Sequence, residues 1–450
     1  MLAQVIAICI FLGMFLLIIL DQFERHVITL VSGALVLILV FGVCMHSPAA
    51  IWEALNLRSF FTAGFWYGAG EESTAGINWS TILFIAGMMI MVEGLGKAGF
   101  FRWLCLSLAK LVHYHVVPLL ICFMCLSAVL SMFIDSITVV LFLATVTLEL
   151  AQTMKFDPVP MILSEIFCAN LGGAATMCGD PPNIMIGSAT GLTFFDFLAI
   201  NGPAVLIILL VSLLMFYVMY GKKMGVSAEK QASVMQLHAH EAIKSQTLFK
   251  KSVVMIALVA LAFVVHGALH IEPSVVALTA AAIMLLIGKS DVEHTLMDVE
   301  WATIGFFAGL FVVVGGLAET GVIEMMAYAL IDITGGDMMI TIIVLVWASA
   351  IISSFLDNIP LVATLIPIIT TMEATGMDVT PLWWAVSLGA CIGGIGTLIG
   401  ASANVVLAGI SGKYGHPITF MDYTKVGFPM MLVFTAISCV YLVLRFCVFV

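Results

Sequence analysis

Charged side chains are scarce in this 450-residue chain: Asp, Glu, Lys and Arg together make up 10% of it, whereas 62% is hydrophobic. Soluble proteins carry about 25% charged residues, so this scarcity excludes a water-soluble fold. Basic residues are also the minority, 16 against 27 acidic ones, which excludes the basic surface that nucleic-acid binding requires. The ten cysteines lie mostly inside apolar runs, a pattern that predicts buried packing and neither a disulfide framework nor a metal site.

Enzyme signatures are missing as well. The chain contains no His-Glu-x-x-His or Gly-x-Ser-x-Gly motif that would supply a metal or a nucleophile inside the membrane. We therefore expect a protein that is not an enzyme and needs no cofactor.

Apolar stretches long enough to cross a bilayer recur along the whole chain. We predict full spans at 2–20, 27–45, 79–96, 203–221, 251–269, 273–288, 301–317 and 427–447, and two further spans with glycine-rich interruptions at 159–190 and 380–411. Two stretches, 116–152 and 338–374, break at an Asp near the midpoint. They could be pairs of spans, but a polar tip without the loop length to reach water favours re-entrant hairpins that line a cavity.

The distribution of Lys and Arg predicts the orientation in the inner (plasma) membrane. With segment 222–250 placed in the cytoplasm as a linker between an N-terminal unit (1–221) and a C-terminal unit (251–450), fourteen of the sixteen basic residues lie on the cytoplasmic side. Both termini then lie outside the cytoplasm.

The two units are copies of one another. At an offset of 222, Trp79 and Gly87 fall on Trp301 and Gly309, and many residues between and around them also match. Each copy holds an odd number of spans, so the copies must lie upside down relative to each other. The predicted fold is an all-α polytopic membrane protein of two inverted-topology repeats of five spans, each with a re-entrant hairpin and a broken helix, an architecture typical of secondary transporters.

Interrupted helices at corresponding positions of the two copies point to the binding site, because broken ends expose unpaired backbone groups near the midplane. In Gly179-Asp180-Pro181-Pro182-Asn183 two prolines force the helix to unwind. The predicted substrate- or ion-binding residues belong to the hairpin tips and broken helices of both copies: Asp135, Ser136, Thr138, Gly173, Thr176, Asp180, Asn183, Asp357, Asn358, Gly394, Thr397, Ser402 and Asn404.

Three buried acids have competing interpretations. Asp135 and Asp357 each cap the following half-helix, form part of a cation or proton site, or do both. Glu165, whose counterpart in the second copy is the apolar Val386, is either a proton-coupling residue or the acceptor of a helix-packing hydrogen bond.

At these motifs the chain resembles the ion transporter superfamily, near the permeases of the P-protein, arsenite-pump and sodium/proton-antiporter type and related to divalent-anion/sodium symporters. The resemblance is carried by Asn170-Leu171-Gly172-Gly173, by the double-proline motif and by the run from Gly396 to Val406. It implies a homodimer with static scaffold spans and a moving transport domain. Where the dicarboxylate symporters have Ser-Asn-Thr at the tips, this chain has Asp135-Ser136-Ile137 and Asp357-Asn358-Ile359.

We therefore expect a secondary active ion transporter that carries a small inorganic or organic anion across the lipid bilayer, coupled to sodium or protons. A sodium/proton antiporter is the nearest alternative, because two midplane carboxylates suit cation-for-proton exchange. An anion channel is the alternative from another class, and it predicts no accumulation against a gradient.

Overall fold

The computed structural model describes residues 1–20, 23–67, 76–221, 243, 246–288, 292–297 and 299–448. These residues form helices joined by short loops, without a single strand in the described part of the chain. Nine of the described helices are long and apolar enough to cross a membrane. The expectation of an all-α polytopic membrane protein is confirmed.

The described residues of the first half form eleven α-helices. They are α1 (Leu2–Leu20), α2 (Arg25–Leu35, continued as a π-helix over Val36–Cys44), α3 (Pro48–Leu55), α4 (Ala63–Trp66), α5 (Trp79–Lys97), α6 (Phe100–Leu111), α7 (Val116–Ser131), α8 (Ser136–Met154), α9 (Val159–Ala174), α10 (Pro181–Thr190) and α11 (Phe194–Tyr220). A short 3₁₀-helix, Leu57–Phe61, lies between α3 and α4.

Ten α-helices lie in the described part of the second half. They are α12 (Gln246–Leu269), α13 (Pro273–Gly288), α14 (Val292–Met297), α15 (Trp301–Glu319), α16 (Val322–Thr334), α17 (Met338–Phe355), α18 (Asn358–Ala374), α19 (Thr380–Gly393), α20 (Ser402–Lys413) and α21 (Phe420–Val443), after which a π-helix covers Leu444–Val448.

Helix boundaries repeat between the halves. The starts of α5, α6, α7 and α8 at residues 79, 100, 116 and 136 recur 222 positions later as the starts of α15, α16, α17 and α18 at 301, 322, 338 and 358. The offset matches the one found by sliding the sequence on itself. The upside-down relation of the two copies, the unit boundaries and the membrane orientation stay predictions, and the linker 222–250 lies almost entirely outside the described residues.

The breaks predicted from sequence are present. The chain leaves helical geometry between α7 and α8 and again between α17 and α18, in each case just before or at the Asp of the tip. Helices α9 and α10 are separated by non-helical residues 175–180, and α19 and α20 by residues 394–401. The two breaks at 175–180 and 394–401 are largely buried in protein, and the two hairpin tips are buried or half-buried; enclosure by protein is the condition under which unpaired backbone is tolerated at membrane depth.

The third long helix of each half packs on a helix from the other half. Helix α5 lies along α13, and its counterpart α15 lies along α2. Small residues allow the close approach: a Cβ added to Gly87 would lie 2.7 Å from the backbone of Ala277, and one added to Gly309 would lie 2.4 Å from the backbone of Thr29. The two halves are thus interlocked in a scaffold that flanks the hairpins.

Three helices begin five or more residues earlier than predicted. One is α12, which begins at Gln246 and not at 251. The spans predicted to begin at residues 203 and 427 are parts of longer helices, α11 and α21, which continue through Pro203 and Pro429. Each starts at a Thr-x-x-Asp sequence, in which Thr193 is paired with Asp196 and Thr419 with Asp422. Such a cap satisfies the free backbone N–H groups of the first turn, so the helix can begin well before its proline.

Candidate functional site

A cavity of about 480 Å³ lies where the hairpin tips and broken helices meet the scaffold helices α2, α5 and α15. Its volume is in the range of small-molecule sites, about 300–1,000 Å³. From the scaffold come Phe23, Glu24, Arg25, His26, Phe84, Ile85, Met88, Met89, Val92, Ala302, Thr303 and Phe306, and from the hairpins and broken helices come Asp135, Ile137, Thr138, Cys178, Pro181, Ile184, Ile359 and Ser402.

Asp135 is a helix cap that faces the cavity. Its Oδ2 accepts hydrogen bonds from the backbone N–H groups of Ile137 at 3.1 Å and Thr138 at 3.4 Å, at the start of α8. Among the described residues no Lys, Arg or His forms an ion pair with Asp135. Ser136, next along the tip, is buried, and Thr138 lines the cavity.

Asp357 caps α18 in the same way but also has a charged partner. Its Oδ1 accepts a hydrogen bond from the Ile359 N–H at 3.3 Å. Its Oδ2 lies 3.0 Å from Nη1 of Arg25 and accepts a hydrogen bond of 2.6 Å from the Ser402 hydroxyl. Arg25 Nη1 also donates to the Ser402 Oγ at 3.1 Å, which closes a triangle of three side chains.

Arg25 was not predicted as a site residue. In the sequence it is one basic residue at the start of an apolar helix, which the positive-inside rule explains without any further role. The contact that reveals it joins residues 332 positions apart. Within the described lining, Arg25 is the only Lys or Arg of the cavity.

Asp180 and Asn358 connect the first broken helix to the second hairpin. The Asn358 side chain donates a hydrogen bond of 3.0 Å from Nδ2 to Oδ2 of Asp180, and both side chains are buried. An acid of one half is thereby held by the amide of the other, directly behind the cavity wall.

The two asparagines predicted to face the ligand bind their own broken helices. Asn183 donates from Nδ2 to the carbonyls of Gly173 and Thr176 at 3.2 and 2.9 Å, and to that of Ala174 at 3.3 Å. Asn404 repeats this in the other half, donating to the carbonyls of Gly394 at 2.8 Å and Thr397 at 2.9 Å. Both side chains are fully buried and satisfy carbonyls that unwinding leaves unpaired.

Protein donors also occupy the oxygens of these two amides. The Ser387 hydroxyl donates to Oδ1 of Asn183 at 2.6 Å, and Nδ2 of Asn170 donates to Oδ1 of Asn404 at 3.2 Å. Each bond joins one half of the chain to the other. Neither Asn183 nor Asn404 lines the cavity.

Two threonines fasten the broken helices to the hairpins. Thr176 donates its hydroxyl to the Met132 carbonyl at 2.5 Å, just before the first tip, and Thr397 donates to the Ser354 carbonyl before the second. Gly173 and Gly394 allow the two ends of each break to approach: a Cβ at Gly173 would lie 2.9 Å from the Gly179 carbonyl oxygen.

Glu165 lies away from the cavity, inside the first half. Its Oε1 accepts a hydrogen bond of 2.5 Å from the Thr147 hydroxyl, while Oε2 has no partner among the described residues. The hydrogen bond fits the packing interpretation, and the proton-coupling role stays a prediction.

The predicted site residues therefore fall into three groups. Asp135, Thr138 and Ser402 line the cavity, with Asp357 joined to it through Ser402 and Arg25. Asp180, Asn358, the two asparagines, the two threonines and the two glycines hold the surrounding framework. Ser136 is buried at the first tip, and Glu165 lies away from the cavity. Their roles in binding stay predictions.

Comparison with known proteins gives consistent matches over most of the chain. A family profile described as citrate transporter (CitMHS) matches residues 15–389. An uncharacterized transporter of Mycobacterium tuberculosis is 36% identical over 446 residues, which cover 98% of this chain and 99% of that protein. The P protein of Sus scrofa is 31% identical over 81% of this chain, and the match covers 53% of that longer protein.

A solved structure shares the fold. The YdaH transporter of Alcanivorax borkumensis, whose crystal structure is described as having an unusual topology, aligns with a TM-score of 0.57 over 88% of each chain at 14% identity.

The expected resemblance to ion transporters is confirmed, since the matching family and relatives are transporters and not enzymes. The extent of the family match, together with the cavity at the hairpin tips, identifies a membrane transporter. The chain belongs to the citrate transporter family, CitMHS.

Proposed function

We propose that this protein is a secondary active transporter that carries a small anion by alternating access, coupled to sodium or protons. One observation carries the proposal: a single cavity is bounded by both hairpin tips, by a broken helix from each half and by the scaffold helices. A site built between two groups of elements can open to either side when one group moves relative to the other. The family description, citrate transporter, supports an organic anion.

An anion is favoured by Arg25. A guanidinium recognises carboxylates through several N–H donors, and it stays charged at any physiological pH. Helix α20 begins at Ser402 on the cavity wall, so the positive end of its dipole also faces the site.

A coupling cation or proton is favoured by the carboxylates. Asp135 faces the cavity without a basic partner in the described part of the chain, and Asp357 neutralises Arg25. An anion that binds here must overcome these negative charges, and a sodium ion or a proton would offset them.

A sodium/proton antiporter is the second candidate, and Asp135 is the observation that favours it. Its cavity-facing carboxylate could take a sodium ion or a proton in turn, without any anion. For either candidate we propose, on the family resemblance and the charge distribution, a homodimer in the plasma membrane with both termini outside the cytoplasm.

Uptake into proteoliposomes tests the proposal. Labelled citrate, succinate and hexanoate are offered under an imposed sodium gradient and, separately, an imposed proton gradient. We expect at least one anion to accumulate above its external concentration, and the accumulation to collapse when an ionophore removes the gradient. A sodium-driven pH change without any anion would instead establish the antiporter, and equilibration without accumulation would establish a channel.

A further inference from the structure

We propose that Arg25 is the anion-recognition residue and that the ligand is an amphipathic monoanion, with one carboxylate and an apolar body. This inference rests on the proposed function, because it names the substrate class of the same cavity.

The charged side chains of the cavity can receive at most one carboxylate, because Arg25 is the only Lys or Arg of the described lining. The Asp, Glu, Lys, Arg and His residues of the described lining are Glu24, Arg25, His26 and Asp135. Arg25 already has Asp357 as its counter-ion at 3.0 Å, and Glu24 lies 3.4 Å from His26. A dianion or trianion would bring further negative charge into a cavity that already holds Asp135 and Glu24, with no second Lys or Arg in the described lining to receive it.

Arg25 has donors to spare for that one carboxylate. Both of its hydrogen bonds to described residues, to Asp357 and Ser402, use Nη1. A guanidinium has five N–H donors, so Nη2 and Nε remain for an incoming carboxylate. The side chain is 22% exposed, whereas that of Asp357 is 3% exposed, so the arginine is the member of the pair that a ligand can reach.

The rest of the cavity is suited to an apolar body. Helix α5 contributes a wall of Phe84, Ile85 and Met88, and Phe306 of α15 and Ile359 of the second hairpin tip add to it. A citrate-like ligand carries carboxylates and a hydroxyl over its whole surface, and desolvating them against these side chains would cost free energy. Burying an alkyl or aryl group against the same side chains would be favourable in free energy.

Ligand protection of the purified full-length protein in detergent tests this without any gradient. The probes, at one concentration, are acetate, butyrate, hexanoate, phenylacetate, succinate and citrate, with hexylamine as the cationic isostere of the same apolar length. The readout is the thermal unfolding midpoint, followed by a titration to obtain Kd. We expect affinity to rise from acetate to hexanoate by roughly two- to fourfold per CH₂, and hexylamine to give no protection.

Variants of Arg25 then locate the binding. Arg25→Gln should weaken hexanoate binding by roughly tenfold to a hundredfold, since it removes a hydrogen-bonding charge. Arg25→Lys keeps the charge but loses the forked arrangement of N–H donors. Its affinity for hexanoate should therefore lie between those of wild type and Arg25→Gln. The matched control is Arg102→Gln. Arg102 also pairs with a carboxylate, that of Glu149 at 3.0 Å, but this pair lies at the exposed surface away from the cavity. The Arg102→Gln variant should therefore bind hexanoate with the affinity of wild type.

Three outcomes would overturn the inference. Citrate or succinate could protect more strongly than hexanoate, which would make the cavity a polycarboxylate site. Hexylamine could protect as well as hexanoate, which would mean non-specific filling of an apolar space. Wild-type affinity in Arg25→Gln would place recognition elsewhere. Because no gradient is applied, any of these leaves the transport proposal standing, and hexanoate binding without driven uptake would contradict only the transport proposal.

Discussion

The two tip aspartates look equivalent in the sequence but differ in their partners, which makes Asp135→Asn and Asp357→Asn a matched pair. Both side chains cap a half-helix, and Asn caps a helix about as well as Asp. Only Asp357 also holds a charged side chain, Arg25. The two substitutions should therefore affect stability differently.

The size of the difference follows from the ion pair. Asp357→Asn removes the negative charge beside the Arg25 guanidinium. The single amide oxygen of Asn cannot replace both carboxylate oxygens, of which one accepts from Ile359 and the other from Arg25 and Ser402. Hydrogen bonds to charged groups contribute about 1.5–3 kcal/mol, and the 22% exposure of Arg25 places the expected loss of unfolding free energy near the lower value. Asp135→Asn removes a carboxylate that has no cationic partner among the described residues, so we expect a change within about 0.5 kcal/mol.

A double-mutant cycle isolates the pair. The unfolding free energies of wild type, Asp357→Asn, Arg25→Gln and the double variant are measured by denaturant titration in mixed micelles. Residues in direct contact show coupling energies of about 0.5–3 kcal/mol, and we expect a value inside that range. A coupling energy near zero, or equal losses for Asp135→Asn and Asp357→Asn, would refute the reasoning.

The same variants test ion coupling. If the Asp357 carboxylate binds the coupling sodium ion or proton while the anion occupies Arg25, Asp357→Asn removes the group that couples the two. Anion flux should then persist but no longer respond to the sodium or proton gradient. Gradient-driven transport close to that of wild type in both Asp135→Asn and Asp357→Asn would exclude these carboxylates from coupling, and would leave Asp180 and Glu165 as the acids to test.

Three further predictions follow from the described contacts. Asn183→Ala and Asn404→Ala should each abolish transport and lower the unfolding free energy by about 1–3 kcal/mol, because buried carbonyls lose their donor; normal kinetics in both would remove them from the site. Glu165→Gln should fold normally, since the amide keeps an acceptor oxygen, and an unchanged pH dependence of transport would exclude proton coupling through Glu165. A cysteine at Phe61 should react with an impermeant maleimide from outside intact cells, and one at position 235 should not; the reverse labelling would invert the predicted orientation.

The helices and their breaks could be predicted because their signals are local. Twenty apolar residues predict a span, and the double proline at Pro181 and Pro182 prevents regular helix wherever it occurs. The tip residues Asp135 and Asp357 were recognisable as caps for the same reason. The early starts of α11 and α21 had an equally local signal in their Thr-x-x-Asp sequences, which the prolines obscured.

The partners of the side chains could not be predicted in this way. An asparagine amide both donates and accepts, and the sequence does not say whether Asn183 offers its oxygen to a ligand or its N–H₂ group to carbonyls. The structure shows the second, because unwinding beside Gly173 leaves carbonyls that need a donor. Arg25 shows the same limit more generally. Its role depends on a contact with Asp357, which lies 332 positions away in the other half of the chain.

Polar contacts also connect the hairpins and broken helices of the two halves to one another. Hydrogen bonds between Asn358 and Asp180, Asn170 and Asn404, and Ser387 and Asn183 all cross from one half to the other. Together with the Thr176–Met132 and Thr397–Ser354 hydrogen bonds, they connect both hairpins and both broken helices into one body.

The Arg25–Asp357 pair joins that body to scaffold helix α2 at the cavity. If an anion bound at Nη2 and Nε shares the guanidinium charge with Asp357, the Arg25–Asp357 contact should weaken as the anion binds. A ligand shifts a conformational equilibrium only when it binds the two states with different affinity. Because Arg25 both binds the ligand and makes the contact with Asp357, the ligand's affinity should depend on whether that contact is formed. Under this mechanism Arg25→Gln should weaken anion binding and also lower the barrier to movement of the empty body, so that exchange between inward- and outward-facing states becomes faster without ligand.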